Sequence, residues 1–159
     1  MKRIVIFGNS GSGKSTLAKK LCSSEGLAHL DLDTLAWLPT TPPQRKPLLE
    51  SKVEMSDFIG SNEGWVIEGC YSDLLEIALK SSSELIFMNL PIESCIENAR
   101  NRSWEPHKYE SKEAQDRNLD MLIEWIAQYA QRTDTFSSVS HAELYEQYTG
   151  KKCMLICND

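Results

Sequence analysis

The chain predicts an α/β fold in three layers, a parallel sheet of five strands with helices on both faces. Three observations carry that reading. Short apolar, β-branched runs recur along the 159 residues. Segments with helical spacing separate them, and the first run passes straight into a glycine-rich turn. A run that is apolar at every position suits a strand buried on both sides, as parallel strands between helix layers are.

The elements follow in order. Residues 3–7, R-I-V-I-F, form the first strand, and 8–15 the glycine turn. A helix spans 14–24, with Leu17, Ala18 and Leu21 on one face. The second strand is 28–32. Residues 39–47 hold four prolines and form a loop, and a helix spans 48–59. A strand at 65–68 closes on Gly69, and a helix follows at 73–81. The clearest central strand is 85–90, stopped by Pro91. Ile92, Cys95, Ile96 and Ala99 then mark a helix by their spacing. Residues 103–112 are polar around Pro106 and read as a loop. Leu122, Trp125, Ile126 and Tyr129 place one long helix at about 111–130. A helix at 140–148 ends at Gly150, and 153–157 is the last strand. No repeat or low-complexity segment interrupts this alternation, which predicts a single domain over 1–159.

Composition narrows the function. Apolar residues make up 41% and charged residues 25%, and the formal charge is −6. No run of Lys and Arg exceeds two residues, which argues against a nucleic-acid binder driven by counterion release. Only four apolar residues separate Arg3 from Gly8, too few for a signal peptide, and no run could cross a bilayer. Five cysteines with no C-x-x-C pair predict free thiols in a cytoplasmic protein. The three histidines are scattered, which disfavours a His/Cys metal site.

Residues 8–15 read G-N-S-G-S-G-K-S and match the phosphate-binding (Walker A) pattern G-x-x-x-x-G-K-[ST]. Strand, glycine loop and helix is the context that pattern needs. Gly8, Gly11 and Gly13 let the backbone turn tightly and approach a ligand. The amides of Gly8, Asn9, Ser10, Gly11, Ser12 and Gly13 can then form an anion nest at a helix N-terminus. Lys14 supplies a charge for the β- and γ-phosphates, Ser15 a hydroxyl for Mg²⁺, and Thr16 a bond to the α-phosphate. The ligand expected is Mg²⁺·ATP.

Ligands of such sheets sit at the carboxyl ends of the strands. Asp31 and Asp33 end the second strand and would point the same way if the strand ran through both. Asp31 is then a candidate for a Mg²⁺-bound water and Asp33 for an acceptor hydroxyl. The alternative is a solvated Asp31 and a helix cap at Asp33. Glu68 ends the third strand as a further magnesium candidate. Arg100, Arg102 and Arg117 flank the Pro106 loop, which could close as a short lid over about 100–117. Their fork geometry suits phosphoryl oxygens. Arg45 is the only arginine between Arg3 and Arg100 and the one candidate there for an anionic acceptor group. Trp37 and Tyr71 join it as candidate acceptor contacts, on a segment placed at about 34–62 and on the turn after the third strand. The strand at 85–90 has Asn89, not Asp, and there is no N-K-x-D motif, which disfavours a GTPase switch.

The phosphate loop, L-D-L-D-T-L-A-W at 30–37, and W-V-I-E-G-C-Y-S at 65–72 resemble the DNA topology modulation (FlaR-type) group of small P-loop proteins. That group is similar to adenylate and shikimate kinases. The resemblance extends over nearly the full chain, through I-F-M-N-L-P at 86–91, the R-x-R at 100–102 and E-W-I-A-Q-Y at 124–129. It implies the P-loop NTPase fold with strand order 2-3-1-4-5, a short lid, and ATP binding with phosphoryl transfer. The group usually carries Asp-Gly-Asn-Tyr where Glu68-Gly69-Cys70-Tyr71 stands, and the extra methylene moves the carboxylate by about 1.5 Å. The arginine of adenylate kinases and the triple glycine of shikimate kinases are both missing at that point, whereas the D-x-D pair is present.

The function expected is therefore a monomeric ATP-dependent kinase acting on a small acceptor, a nucleotide or a hydroxylated metabolite. Lys14, Asp33, Arg100, Arg102 and Arg117 would be the catalytic groups. The alternative is a regulatory ATPase with slow hydrolysis, linked to DNA topology.

Overall fold

The computed structural model describes residues 1–158. Five strands form a wholly parallel sheet: β1 (Arg3–Gly8), β2 (Ala28–Asp31), β5 (Trp65–Gly69), β6 (Glu84–Met88) and β7 (Lys151–Leu155). Their spatial order is β2-β5-β1-β6-β7. Two further strands, β3 (Trp37–Leu38) and β4 (Gln44–Arg45), make a separate antiparallel hairpin within the proline-rich segment. They shift the strand numbers away from the expected 2-3-1-4-5. With the hairpin left out of the count, the order of the main sheet is the expected one.

Side-chain alternation splits the core in two. Val5, Phe7, Ile67 and Phe87 point to one face. There they meet Met55 of α2 (Leu48–Ser61), Leu74 and Leu75 of α3 (Ser72–Leu79) and Leu144 of α7 (Ser138–Gln147). Ile4, Ile6, Val66 and Met88 point the other way. They meet Ala18 of α1 (Lys14–Glu25), Cys95 and Ala99 of α4 (Ile92–Arg100), and Ile126 of α6 (Leu119–Ala127). The middle of each central strand is thus apolar because both of its faces are covered. Full burial of one such side chain contributes about 1.5–3 kcal/mol.

Three local expectations are corrected. The long helix at 111–130 is two helices, α5 (Lys112–Arg117) and α6, broken at Asn118. Ser111 caps α5 by accepting from the Ala114 amide at 3.1 Å. Strand β2 stops at Asp31, and residues Leu32–Thr34 form a 3-10 turn. The last strand begins at Lys151 and ends at Leu155. The five cysteines are free thiols. No helix among the described residues is long and apolar enough to cross a membrane.

Candidate active site

The loop after β1 is shaped by backbone contacts that admit no side chain. A Cβ on Gly8 would stand 2.4 Å from the Met88 carbonyl oxygen, on the neighbouring strand, and φ there is +155°. A Cβ on Gly11 would stand 2.4 Å from the Cys95 carbonyl oxygen, with φ +78°. Gly13 caps α1 in the left-handed region, so the helix starts on Lys14. Lys14 Nζ curls back and donates to the Asn9 carbonyl at 2.8 Å. Asn9 is buried, and its side-chain amide donates to the Ile126 carbonyl at 3.2 Å. Ser10, Gly11, Gly13, Lys14, Ser15 and Thr16 line a cavity of about 890 Å³. Gly8, Asn9 and Ser12 do not line the cavity.

The same cavity is walled by the carboxyl ends of β2 and β5. Asp31 and Glu68 are neighbours in the parallel register of these strands. Glu68 is buried, and its Oε2 accepts from the Ser15 hydroxyl at 2.6 Å. His29 Nε2 lies 3.0 Å from the same oxygen. The longer glutamate thus reaches the phosphate loop. Among the described residues no group of three or more His, Cys, Asp or Glu could hold a metal alone. Magnesium rarely asks for such a cage: it prefers hard oxygen donors, keeps several waters and shares ligands with phosphates. An all-oxygen set of Ser15, Glu68 and Asp31 fits that habit. Ser15 would be the direct ligand, with the two carboxylates behind it.

Asp33 sits on the 3-10 turn, and Asp31 caps that turn by accepting from the Asp33 amide at 2.9 Å. The cap expected at Asp33 is thus at Asp31. Asp33 Oδ1 accepts the Tyr71 hydroxyl, which in turn accepts from Trp37 Nε1 at 2.8 Å. Burial raises the Tyr71 pKa, so this hydroxyl remains a donor. Asp33 Oδ2 is 2.8 Å from Lys108 Nζ. Desolvation acts to raise the Asp33 carboxyl. The charge and hydrogen bond of Lys108, with Tyr71 and Lys14, outweigh it and hold the carboxyl below its ordinary value. Asp31 goes the other way. Burial, then the charges of Glu68 and Asp33, raise it against the pull of Lys108. The two carboxylates are pushed apart in acidity, as in sites where each has its own task.

The expected arginines are not equally placed. Arg102 lines the cavity and donates to Glu105 at 3.1 Å. Arg100 ends α4 and Arg117 ends α5; both are exposed and neither lines the cavity, because the helices carry them around to the outer side. Arg45 is drawn off the cavity as well. It binds Asp73 through one nitrogen at 3.1 and 3.3 Å, and its guanidinium lies over the Tyr71 ring. Trp37 and Tyr71 reach the site through Asp33 and form no part of the cavity wall.

Sequence reasoning missed Lys108. The turn at 105–109 closes with Lys108 and Tyr109 amides donating to the Glu105 carbonyl, each at 3.0 Å. This puts Glu105 and Lys108 side by side, and Gln115 of α5 ties the turn down by accepting from the Glu105 amide at 2.8 Å. The available signal was the unpaired D-x-D motif, which called for a cation, together with the spacing E-P-H-K inside the lid. His29 was also missed; its signal was its place two residues before Asp31 on one face of β2. Cys70 lines the cavity, but burial pushes its thiol up to about 12, so it stays protonated.

No family model matches the chain. The uncharacterized protein YqaC of Bacillus subtilis (strain 168) is 30% identical over 139 residues, covering 80% of this chain and 72% of YqaC. The unliganded crystal structure of a sugar kinase from Janibacter sp. HTCC2649 superposes with a TM-score of 0.56 at 16% identity, over 98% of this chain and 84% of that one. Deoxyadenosine kinase from M. mycoides with bound dATP superposes with a TM-score of 0.51 at 14% identity, over 98% and 91%. The two structural likenesses show that the chain has the fold of these kinases. None of the three proteins is described in terms of DNA topology, so that part of the expected kinship is without support.

Proposed function

The chain belongs to one family with YqaC of Bacillus subtilis, and we propose that it is an ATP-dependent kinase of a small hydroxylated acceptor. One observation carries the reading. A phosphate loop with Lys14 and Ser15 faces Asp33 across a single cavity, with Glu68 and Asp31 between them.

Lys14 and the loop amides would hold the β- and γ-phosphates and stabilise charge there. Ser15, Glu68 and Asp31 would hold Mg²⁺, which when bound neutralises charge on the phosphates. Asp33 would orient the acceptor hydroxyl through Oδ2 and take its proton. The acceptor oxygen then bonds to the γ-phosphorus while the bond to the bridging oxygen breaks, and ADP leaves. Arg102 is the arginine placed to contribute from the lid. The positioning of these groups supplies the rate, as phosphoryl transfer asks little covalent chemistry of the protein.

Coupled ADP release with a panel of nucleosides, nucleotides, sugars and amino alcohols tests this. One acceptor should raise turnover well above hydrolysis. Slow turnover indifferent to every acceptor, but stimulated by DNA, would favour a regulatory ATPase. Absence of Mg²⁺·ATP binding in calorimetry would remove both readings.

A further inference from the structure

The acceptor end of the cavity carries more negative charge than its cations balance. Lys108 Nζ is the one ammonium there among the described residues. It lies 2.8 Å from Asp33 Oδ2, 3.5 Å from Asp31 Oδ2 and 3.5 Å from Glu105 Oε2. His107 Nε2 stands farther off, 3.7 Å from Asp31 and 3.8 Å from Glu105. Neither nearby arginine makes up the difference: Arg45 is held by Asp73, and Arg102 by the second oxygen of Glu105.

Both oxygens of Asp33 already accept from the protein. Oδ1 is taken by Tyr71, and Oδ2 is the atom that Lys108 covers. An acceptor hydroxyl that approaches Asp33 Oδ2 from the cavity must therefore share that oxygen with Lys108 or displace it. Asp31 and Asp33 stand at the end of β2 and on its following turn, whereas Lys108 and Glu105 stand on the irregular segment between α4 and α5. Once Lys108 is displaced, Asp31 and Asp33 lose their ammonium, while Glu105 keeps Arg102. Removing one partner of a partly buried ion pair costs stability because the other charge stays behind, most of all at Asp31, the more buried of the two carboxylates. A neutral acceptor leaves that cost in place, an anionic acceptor adds to it, and an acceptor with its own ammonium removes it.

We propose that Lys108 is the specificity-determining residue of the acceptor site, and that the acceptor is a hydroxyl compound bearing an ammonium group, which takes the place of Lys108 beside Asp31 and Asp33. This rests on the kinase reading. It departs from an anionic acceptor held by Arg45, since that guanidinium is occupied.

D-glucosamine, D-glucose and D-gluconate share one carbon skeleton and differ in charge. Each is titrated into the wild-type protein and into Lys108→Met, at a pH that keeps the amine protonated, with binding and coupled ADP release as readouts. In the wild type glucosamine should exceed glucose by about tenfold, the equivalent of one well-placed charge interaction, with gluconate weakest. In Lys108→Met the ratio of glucosamine to glucose should widen further, because the carboxylates have lost their internal partner. Lys108→Arg, which keeps the charge, should restore the wild-type ratio. A lysine with a merely structural role would lower all three sugars alike. Gluconate equal to or above glucosamine, no preference among the three, or a ratio unmoved in Lys108→Met overturns the inference. Calorimetry with Mg²⁺·ATP on the same wild-type sample separates the two levels. Lost nucleotide binding removes the kinase reading, whereas intact nucleotide binding with the wrong order removes only the acceptor class.

Discussion

The two ends of the cavity are built by different means. At the phosphate end one short run, residues 8–16, supplies most of the lining, and the shape comes from main chain: glycine turns pressed against the Met88 and Cys95 carbonyls, and a helix that starts on Lys14. At the acceptor end the working atoms are side chains. They come from the turn after β2, the ends of β5, and the lid, and they are held by bonds between residues 34 to 38 positions apart or more, as in Trp37 to Tyr71 and Tyr71 to Asp33. A site made of backbone is fixed by local sequence. A site made of side chains depends on how distant segments pack, and it can be retuned by single substitutions without loss of fold.

That contrast can be broken from either end. Lys14→Ala should have the largest effect, a loss of turnover on the order of a thousandfold, with weaker Mg²⁺·ATP binding in calorimetry and an unchanged melting temperature. Activity that survives this change would remove the phosphate end from the mechanism. Asp33→Asn should come next, lowering turnover by about a hundredfold while leaving nucleotide affinity alone. Equal loss of transfer and of nucleotide binding would mean that the two ends are one structural unit.

The third test concerns what holds the acceptor end together. His141 is fully buried, with Nε2 2.8 Å from the Cys70 carbonyl and Nδ1 2.7 Å from the Tyr129 hydroxyl. Burial, foremost, lowers its pKa to about 4 from 6.5. The unfolded chain therefore binds the extra proton first. The contribution of His141 is complete above pH 6.5 and is lost as pH falls toward about 4. The loss is about 3 kcal/mol at most. Denaturant melts of wild type and His141→Gln across this range should converge as the pH drops; parallel curves would show that the imidazole does not titrate there. The smallest effect is expected of the double variant Arg100→Ala, Arg117→Ala. With both side chains outside the cavity, kcat/KM should stay near wild type, and a large fall would return these arginines to the lid's machinery.

The same contrast explains what could be read from the sequence. The sheet was legible because strands buried on both faces are apolar at every position, and the phosphate loop because its constraints lie within eight residues. The break at Asn118 was hidden because Leu122, Trp125 and Ile126 keep a helical period that says nothing of the turn before them. The β3–β4 hairpin was hidden by prolines that usually mark open loops. The direction of Arg100 and Arg117 depends on how α4 and α5 are rotated against the body, which no local pattern encodes. Lys108 lies in a polar stretch without periodicity, and its importance arises only when the turn at 105–109 folds down onto Asp33.

The contact between Ser15 and Glu68 has a consequence of its own. A carboxylate can only accept, so the serine proton must point at Glu68 and both serine lone pairs are turned elsewhere. The buried acid thereby sets the polarity of the hydroxyl in advance. Under the proposed function, a cation arriving there would meet an oxygen already facing it with electron density, and that group would need no reorientation at the moment of capture.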